Sequence, residues 1–393
     1  MYTRRARRWV AGAIAAVAVV ALAACSKGGS TSTSTDSSAS AAAVPQAVTD
    51  LIAKYSGPST FTPPGPPIDV TPLKGKKIFD IPSVPNPFVQ SISASMKEAA
   101  EKAGMTYTKF DNQAQVSQWV QGINQAIASK QDIIVLNGAP DPRALGPQLQ
   151  AAKAAGIPVI VMHFHDNDMP AVPSCEGCTD ITATVTAPFN EAGKAAAAWM
   201  IKDSGGTANV LIVGGSDILP SPGTIKAMQD EFAANCSGCS NTVINIPVAD
   251  WNTKTQGVVQ SALQANPKVN YVYVLYDAMV AGAIPAVQTL AKTGQVKIAS
   301  YNGSPFALDA IRQSNGDLVA MNVGEDTPGI GYATMDQVFR VLLGQQPVAE
   351  RTPIRIWDKT NVAEAGTPAK AGVGYGNAYT SGFLKLWGLG GGA

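Results

Sequence analysis

From Lys76 onward, short apolar runs alternate with stretches in which apolar residues recur every three or four positions. That is the pattern of strands buried on both faces, each followed by an amphipathic helix. Ile78–Ile81 predicts the first strand, and Phe88, Ile92, Met96 and Ala99 mark the apolar face of the helix after it. The rhythm continues through "GMTYTKF", a helix with Val116, Val120, Ile123 and Ile127, "DIIVLNG", a helix over Leu145–Ala155, and "IPVIVMH". It restarts after Thr179 with "ITATVT", a helix through Ala195–Met200, "ANVLIVGG", a helix over Ala227–Phe232, and "TVINIPV". A helix over Val258–Leu263, "YVYVLYD", a helix over Ala286–Leu290, "VKIASYN", a short helix over Leu308–Ile311 and "LVAMNV" complete the series. Repeated βα units predict an α/β fold with parallel sheets, in two similar halves.

A chain of 393 residues also exceeds the ~250–300 at which one core stops growing, which favours two domains. Charged residues make up 15% and the net charge is +1, so neither nucleic acid nor an acidic polymer is expected as a partner.

The first residues break the pattern. Arg4, Arg5, Arg7 and Arg8 precede an apolar run from Val10 to Ala24, shorter than the ~20 residues a membrane span takes, which reads as a signal peptide over 1–24. Leu22-Ala23-Ala24-Cys25 resembles the lipobox of bacterial lipoproteins, so Cys25 is the expected lipidation site and the first mature residue. Residues 25–44 are rich in Ser, Thr, Gly and Ala and predict a flexible tether. Residues 45–75, with "TFTPPGPPIDVTP", carry too many prolines for regular structure and predict an extended lead-in along the first domain.

Ligands of open parallel sheets gather beyond the carboxyl ends of the strands. Those ends carry Asn86-Pro87-Phe88, Asn137-Gly138, His163-Phe164-His165, Asp217, Trp251-Asn252, Tyr276-Asp277, Tyr301-Asn302-Gly303 and Glu325-Asp326. Amides and aromatic rings dominate, which suits hydrogen bonding to a neutral polar ligand whose carbon skeleton stacks on the rings. Both histidines of the chain, His163 and His165, stand here. His-x-His at a strand end also opens the metal site of barrel hydrolases, so a metal-dependent hydrolase is the rival reading, but no third histidine exists to extend the ligand set. No Gly-x-Ser-x-Gly elbow appears, and Gly214-Gly215 lacks dinucleotide spacing, so neither an enzyme nor a cofactor is expected. Cys175 and Cys178, and Cys236 and Cys239, form two C-x-x-C pairs, which in an exported protein are expected to be local structural disulfides.

The chain from Lys76 to Asp358 resembles the type I periplasmic binding proteins, in particular the ribose-binding-like receptors of ABC transporters. The resemblance is carried by "NPFVQSISASMKEAAEKAG", "IIVLNGAPDP", "AAKAAGIPVIVM", "VYVLYDAMVAGAIPAVQTLAKTG", "IASYNGSPFALDAI" and "LVAMNV". It implies two Rossmann-like lobes joined by a three-crossover hinge, with crossovers near Ala187, Glu325 and Ile354. The expected lobes are 76–187 plus 326–354 and 188–325 plus 355–393. It further implies a monomeric receptor, anchored to the outer face of the cell membrane by its lipid alone, that delivers a small polar ligand to an ABC permease; a receptor feeding a sensor is the alternative.

Residue by residue, Asn86 and Phe88 match the family's N-P-F wall, and Trp251 matches a sugar-stacking aromatic. Asn302 replaces an Asp, Tyr276 precedes Asp277 where an Asn is usual, and Glu325 lies near an amide position. His163 and Phe164 stand where sugar-binding members carry Asp-Arg, with His165 expected to be exposed, and Met228 stands for a second arginine. Loss of two planar donors argues against a copy of ribose recognition. A polyol, a deoxy or acylated sugar, or a small cyclic compound joins plain pentoses and hexoses as the expected ligand.

Overall fold

The computed structural model describes residues 44–390 except 139, 175, 176 and 216. The expected signal peptide, Cys25 and nearly all of the tether lie outside the described residues, and so does Cys175.

The chain enters through a helix, α1 (Gln46–Ser56). The first βα series follows as β1 (Lys77–Pro82), α2 (Pro87–Lys102), β2 (Thr106–Lys109), α3 (Val116–Ala128), β3 (Ile133–Asn137), α4 (Gly146–Ala154), β4 (Val159–Asp166) and β5 (Ala183–Ala187). Its five strands form a sheet in the order β2-β1-β3-β4-β5, parallel throughout. The second series runs α5 (Phe189–Asp203), β6 (Asn209–Gly214), α6 (Ser221–Asn235), β7 (Ser240–Asn245), α7 (Trp251–Ala265), β8 (Tyr271–Val274), α8 (Val280–Thr289), β9 (Lys297–Asn302), α9 (Pro305–Gln313) and β10 (Val319–Glu325). Then come α10 (Thr327–Leu342), β11 (Ile354–Asp358) and α11 (Ala378–Leu386). The second sheet has the order β11-β10-β9-β8-β6-β7, with only β11 antiparallel. Apart from β11, each sheet places its second strand at one edge and its first strand next to it, so both lobes share one winding and one switch point.

The chain passes between the two sheets three times. β5 ends at Ala187 in the first sheet and α5 starts at Phe189 in the second lobe; β10 ends at Glu325 in the second sheet and α10 packs back on α2. The third crossover follows Glu350 and feeds β11, and Thr186 bridges Arg351 in parallel, so the first and third crossovers lie side by side.

The terminal segments depart from the expected boundaries. Residues 46–56 are helical despite the prolines that follow, and Val48, Ile52 and Tyr55 belong to the second-lobe core, where the Tyr55 hydroxyl donates to Glu191 of α5. From Phe61 onward the lead-in packs on the first lobe, Phe61 meeting Phe383 of α11 at 4.9 Å. At the other end α11 joins the first lobe, not the second lobe expected for 355–393. Trp387 is fully buried, stacks on Tyr332 at 5.4 Å, meets Phe339 edge-on at 4.9 Å and donates its Nε1–H to Asp336 at 2.7 Å. Asp336 in turn pairs with Arg340 at 2.6 Å, and Arg340 donates to the carbonyl of Pro66 at 3.0 Å. One buried ion pair thus ties α10 to both terminal segments.

Cys236 and Cys239 are disulfide-bonded with Cα atoms 5.3 Å apart, closing the turn between α6 and β7. Cys178 is also disulfide-bonded.

Helix starts are fixed locally. Asn86 caps α2, its Oδ1 accepting from the Val89 N–H at 2.9 Å, with Pro87 in the first turn. Asp326 caps α10 through Oδ1 and the Gly329 N–H at 3.2 Å, while its Oδ2 is buried without a partner. Burial pushes the Asp326 carboxyl up to about 8.

Two outcomes follow. Trp387→Ala should lower the unfolding free energy by about 3–5 kcal/mol, the range for deleting a buried aromatic; denaturant titration measures it, and a loss below about 1 kcal/mol would mean that α11 does not complete the first lobe. Asp326→Asn keeps the capping oxygen and removes the titration. The folded protein holds the Asp326 proton more tightly than the unfolded chain does, so its stabilisation is complete below the ordinary carboxylate range and is lost as pH rises through about 8. Wild type should therefore lose stability relative to Asp326→Asn between about pH 4 and pH 8, and a pH-independent difference would exclude this.

Candidate functional site

The parallel strands deliver their carboxyl ends to one edge of each sheet, and the crossovers bring those two edges together. On the first lobe this edge presents Phe88, from the first turn of α2, and His163, near the end of β4. Facing them are Phe189 at the start of α5, Tyr301 and Asn302 at the end of β9, Glu325 at the end of β10, Tyr276 after β8, and Trp251 opening α7.

These rings form one row across the lobe boundary. Centroid distances are 4.9 Å for Phe88 to His163, 5.0 Å for His163 to Phe189, 5.9 Å for Phe189 to Tyr301, 6.5 Å for Tyr301 to Tyr276, and 5.2 Å for Tyr276 to Trp251. The last pair is stacked at 22°, the others are tilted or edge-on. Such a row offers π faces to a flat or ring-shaped ligand.

One hydrogen bond spans the lobes inside this row. His163 Nε2 lies 2.8 Å from Glu325 Oε2, with Nε2 as donor because a carboxylate oxygen only accepts. The Glu325 side chain is fully buried and that of His163 is 8% exposed. Asn302 adds its Nδ2–H to the same oxygen at 3.4 Å, and its Oδ1 accepts from the Asp277 N–H at 3.4 Å. Both oxygens of Asp277 are committed, to Asn322 Nδ2 at 2.6 Å and the Ser304 N–H at 2.7 Å. Burial pushes the Asp277 carboxyl up to about 6 despite these donors.

The backbone is strained where the site needs reach. His163 has φ +53° and Asn302 φ +126°, left-handed values that side chains other than glycine rarely adopt. Along β4, Val159 and Val161 face one core cluster of the first lobe and Ile160 and Met162 the other. Regular alternation would continue with His163 beside Val161. Instead the pairing with β5 slips between Met162 and Asp166, His163 turns to the lobe boundary, and Phe164 takes its place in the Val161 cluster. Gly303, at φ +75°, lets β10 approach β9 here, since a Cβ would meet the Cα of Gly324 at 2.8 Å.

Of the residues singled out from sequence, the row and its hydrogen bonds bring together Phe88, His163, Trp251, Tyr276, Asp277, Asn302 and Glu325. Phe164 is core instead, 6% exposed under the helices of the first lobe. Met228 is fully buried where α6 packs on α5. Asn86 commits its side-chain oxygen to capping α2. His165 is 4% exposed rather than at the surface; its Nε2 lies 3.8 Å from Cys178 Sγ, and burial lowers its pKa. The two histidines therefore serve different surroundings, and among the described residues no cluster of His, Cys, Asp and Glu is arranged to hold a metal ion. Phe189 was missed. Its signal was its place, an aromatic two residues after the first crossover, yet that helix was read only from its alanine-rich middle.

Two cavities, of about 370 Å³ beside Lys153 and Thr182 and about 330 Å³ beside Phe61 and Tyr379, are lined by none of these residues.

Comparison with known proteins agrees with this geometry. The family model described as a periplasmic binding protein domain matches residues 78–346. The ribose import binding protein RbsB of Salmonella typhimurium is 24% identical over 271 residues, covering 69% of this chain and 86% of that protein. The fructose import binding protein FruE of Bifidobacterium longum is 27% identical over 255 residues, 64% of this chain and 74% of its own. Among solved structures, an ABC transporter solute binding protein from Bacillus halodurans with bound myo-inositol superposes with a TM-score of 0.64 at 20% identity, covering 75% of this chain and 98% of that one. Another from Agrobacterium vitis, bound with alpha-D-tagatopyranose, gives 0.66 at 19% identity, with 74% and 96% covered. With two parallel-sheet lobes, their strand ends meeting at one cleft, and a family match over most of its length, the chain belongs to the type I periplasmic binding proteins of the ribose-binding-like kind.

Proposed function

We propose that this protein is an extracytoplasmic receptor, anchored by a lipid on Cys25, that captures a sugar or polyol between its lobes and delivers it to an ABC permease. The observation that carries this reading is the row of rings from Phe88 to Trp251, which runs across the lobe boundary and is bridged by His163 and Glu325. Rings supply broad faces for the carbon side of a pyranose or cyclitol, while Asn302, His163 and Glu325 supply donors and acceptors for its hydroxyls. Relatives named for ribose and fructose import, and solved structures with bound myo-inositol and tagatopyranose, support that ligand class.

The mechanism follows from the hinge. Each lobe holds half of the site, so a ligand touching both favours the closed arrangement by its differential affinity for it. Closure buries the hydroxyls, aligns His163 with Glu325 and presents one surface formed by both lobes to a permease. The proposed anchor is the acyl chains at Cys25, which follows the apolar run from Val10 to Ala24.

Isothermal titration against pentoses, hexoses, inositols and linear polyols should find a ligand for the purified protein. With it, His163→Ala should weaken binding about ten-fold or more and leave apo stability near wild type, whereas His165→Ala should lower stability and leave affinity within about three-fold. The opposite assignment, or no binding by any carbohydrate or polyol, would sink this reading. Separately, Cys25→Ala should move the protein from the membrane fraction to the soluble one on cell fractionation, and retention after washing without detergent would rule out the lipid anchor.

A further inference from the structure

The chemistry of the cleft is lopsided. Glu325 is fully buried at the lobe boundary, and only its Oε2 is engaged, by the His163 imidazole and the Asn302 amide. Its other oxygen, Oε1, is buried with no hydrogen bond of good geometry, and the Tyr301 hydroxyl on the neighbouring strand lies close to the carboxylate, whose charge adds to burial in raising the tyrosine's pKa. Asp277 stands next to it, linked through Asn302. Burial above all, and in lesser part the charges of Glu325 and Asp217, raise the pKa of the Tyr276 hydroxyl, so a third carboxylate bears on the same wall. Neither the row of rings nor the hydrogen bonds that support it include a lysine or an arginine.

A carboxylate withdrawn from water without a cation is costly, and a neutral hydroxyl donor answers only part of that cost. Ring faces carry negative quadrupoles that attract a cation within about 6 Å of their centroids. Carboxylates and π faces gathered without a lysine or an arginine make one complementary shape: a ring-sized polyol with an ammonium group.

Resting on the receptor reading above, we infer that the ligand carries a positive charge, as an amino sugar or an aminocyclitol does, and that its ammonium is received by Glu325 Oε1 against the faces of Tyr301 and Phe189. Their rings lie 5.9 Å apart, and His163 beside Phe189 holds the other Glu325 oxygen, which leaves Oε1 as the acceptor for the ammonium. The hydroxyls then fall to Asn302 and the stacking to Tyr276 and Trp251.

Matched probes test this in the purified protein by isothermal titration at neutral pH: glucose, glucosamine and N-acetylglucosamine; galactose, galactosamine and N-acetylgalactosamine; myo-inositol and an amino-deoxy-inositol. In at least one series the amine-bearing member should bind ten-fold or more tightly than both its neutral parent and its acetylated form. Glu325→Gln, which keeps the size and the acceptor for His163, should abolish that preference, bringing the amine-bearing member to within about three-fold of its neutral parent. A thermal melt of Glu325→Gln close to wild type establishes that the variant is folded, and where it is not, the wild-type comparison across each series decides alone. Neutral parents binding as tightly as the amines, or a preference that survives in Glu325→Gln, would overturn the charge inference and leave the sugar-receptor reading standing. Binding by no member of any series would overturn both.

Discussion

A parallel sheet imposes one constraint from which the rest of this molecule follows. Successive strands run the same way, so each must be followed by a return over a face of the sheet, and every carboxyl end emerges at one edge. Two such sheets with the same winding, joined where β5, β10 and β11 meet the hinge, bring two of these edges face to face. No local sequence signal is needed to make a cleft. The cleft is what remains when two parallel sheets are tied together near their carboxyl ends, and the side chains at those ends become its walls.

Polar burial then separates structural from functional residues. In the first lobe, Asp336, Arg340 and Trp387 satisfy one another, and the group locks both termini onto α10. Asp277 is equally buried, yet Asn322 and Ser304 meet both of its oxygens. Glu325 differs from these in its place: at the lobe boundary one oxygen is bridged to the opposite lobe and the other has no partner. A site that closes around a ligand must hold unsatisfied groups of this kind, because groups already paired within the protein have nothing left to offer.

The strained backbone points to the same place. A bulge in β4 costs pairing with β5 and turns His163 to a left-handed φ, and its return is a side chain at the lobe boundary that a regular strand would have buried beside Val161. The same slip explains why two neighbouring residues, His163 and Phe164, both chosen from sequence as pocket wall, separate into one cleft residue and one core residue.

The sequence by itself determined the ten parallel strands, the two-lobed α/β fold and the strand ends at which to look for chemistry. It could do so because period-two and helical spacing are set by the backbone, and a strand buried on both faces has to be apolar throughout. It also marked Trp251, Tyr276, Asn302 and Glu325, since polar and aromatic residues closing an apolar run stand out whatever lies opposite. What the spacing left open was the partner of each face. Whether α11 covers the first lobe or the second, whether Met228 meets α5 or the cleft, and whether Phe189 joins the row of rings depend on neighbours in other elements or on the angle of a helix start. The burial of His165 and the turn of His163 depend on two extra residues in one strand, where Met162 to Asp166 runs beside Val185 to Ala187. Tertiary structure alone decided these, because packing selects among faces that are equally apolar in sequence and differ only in what the fold brings against them.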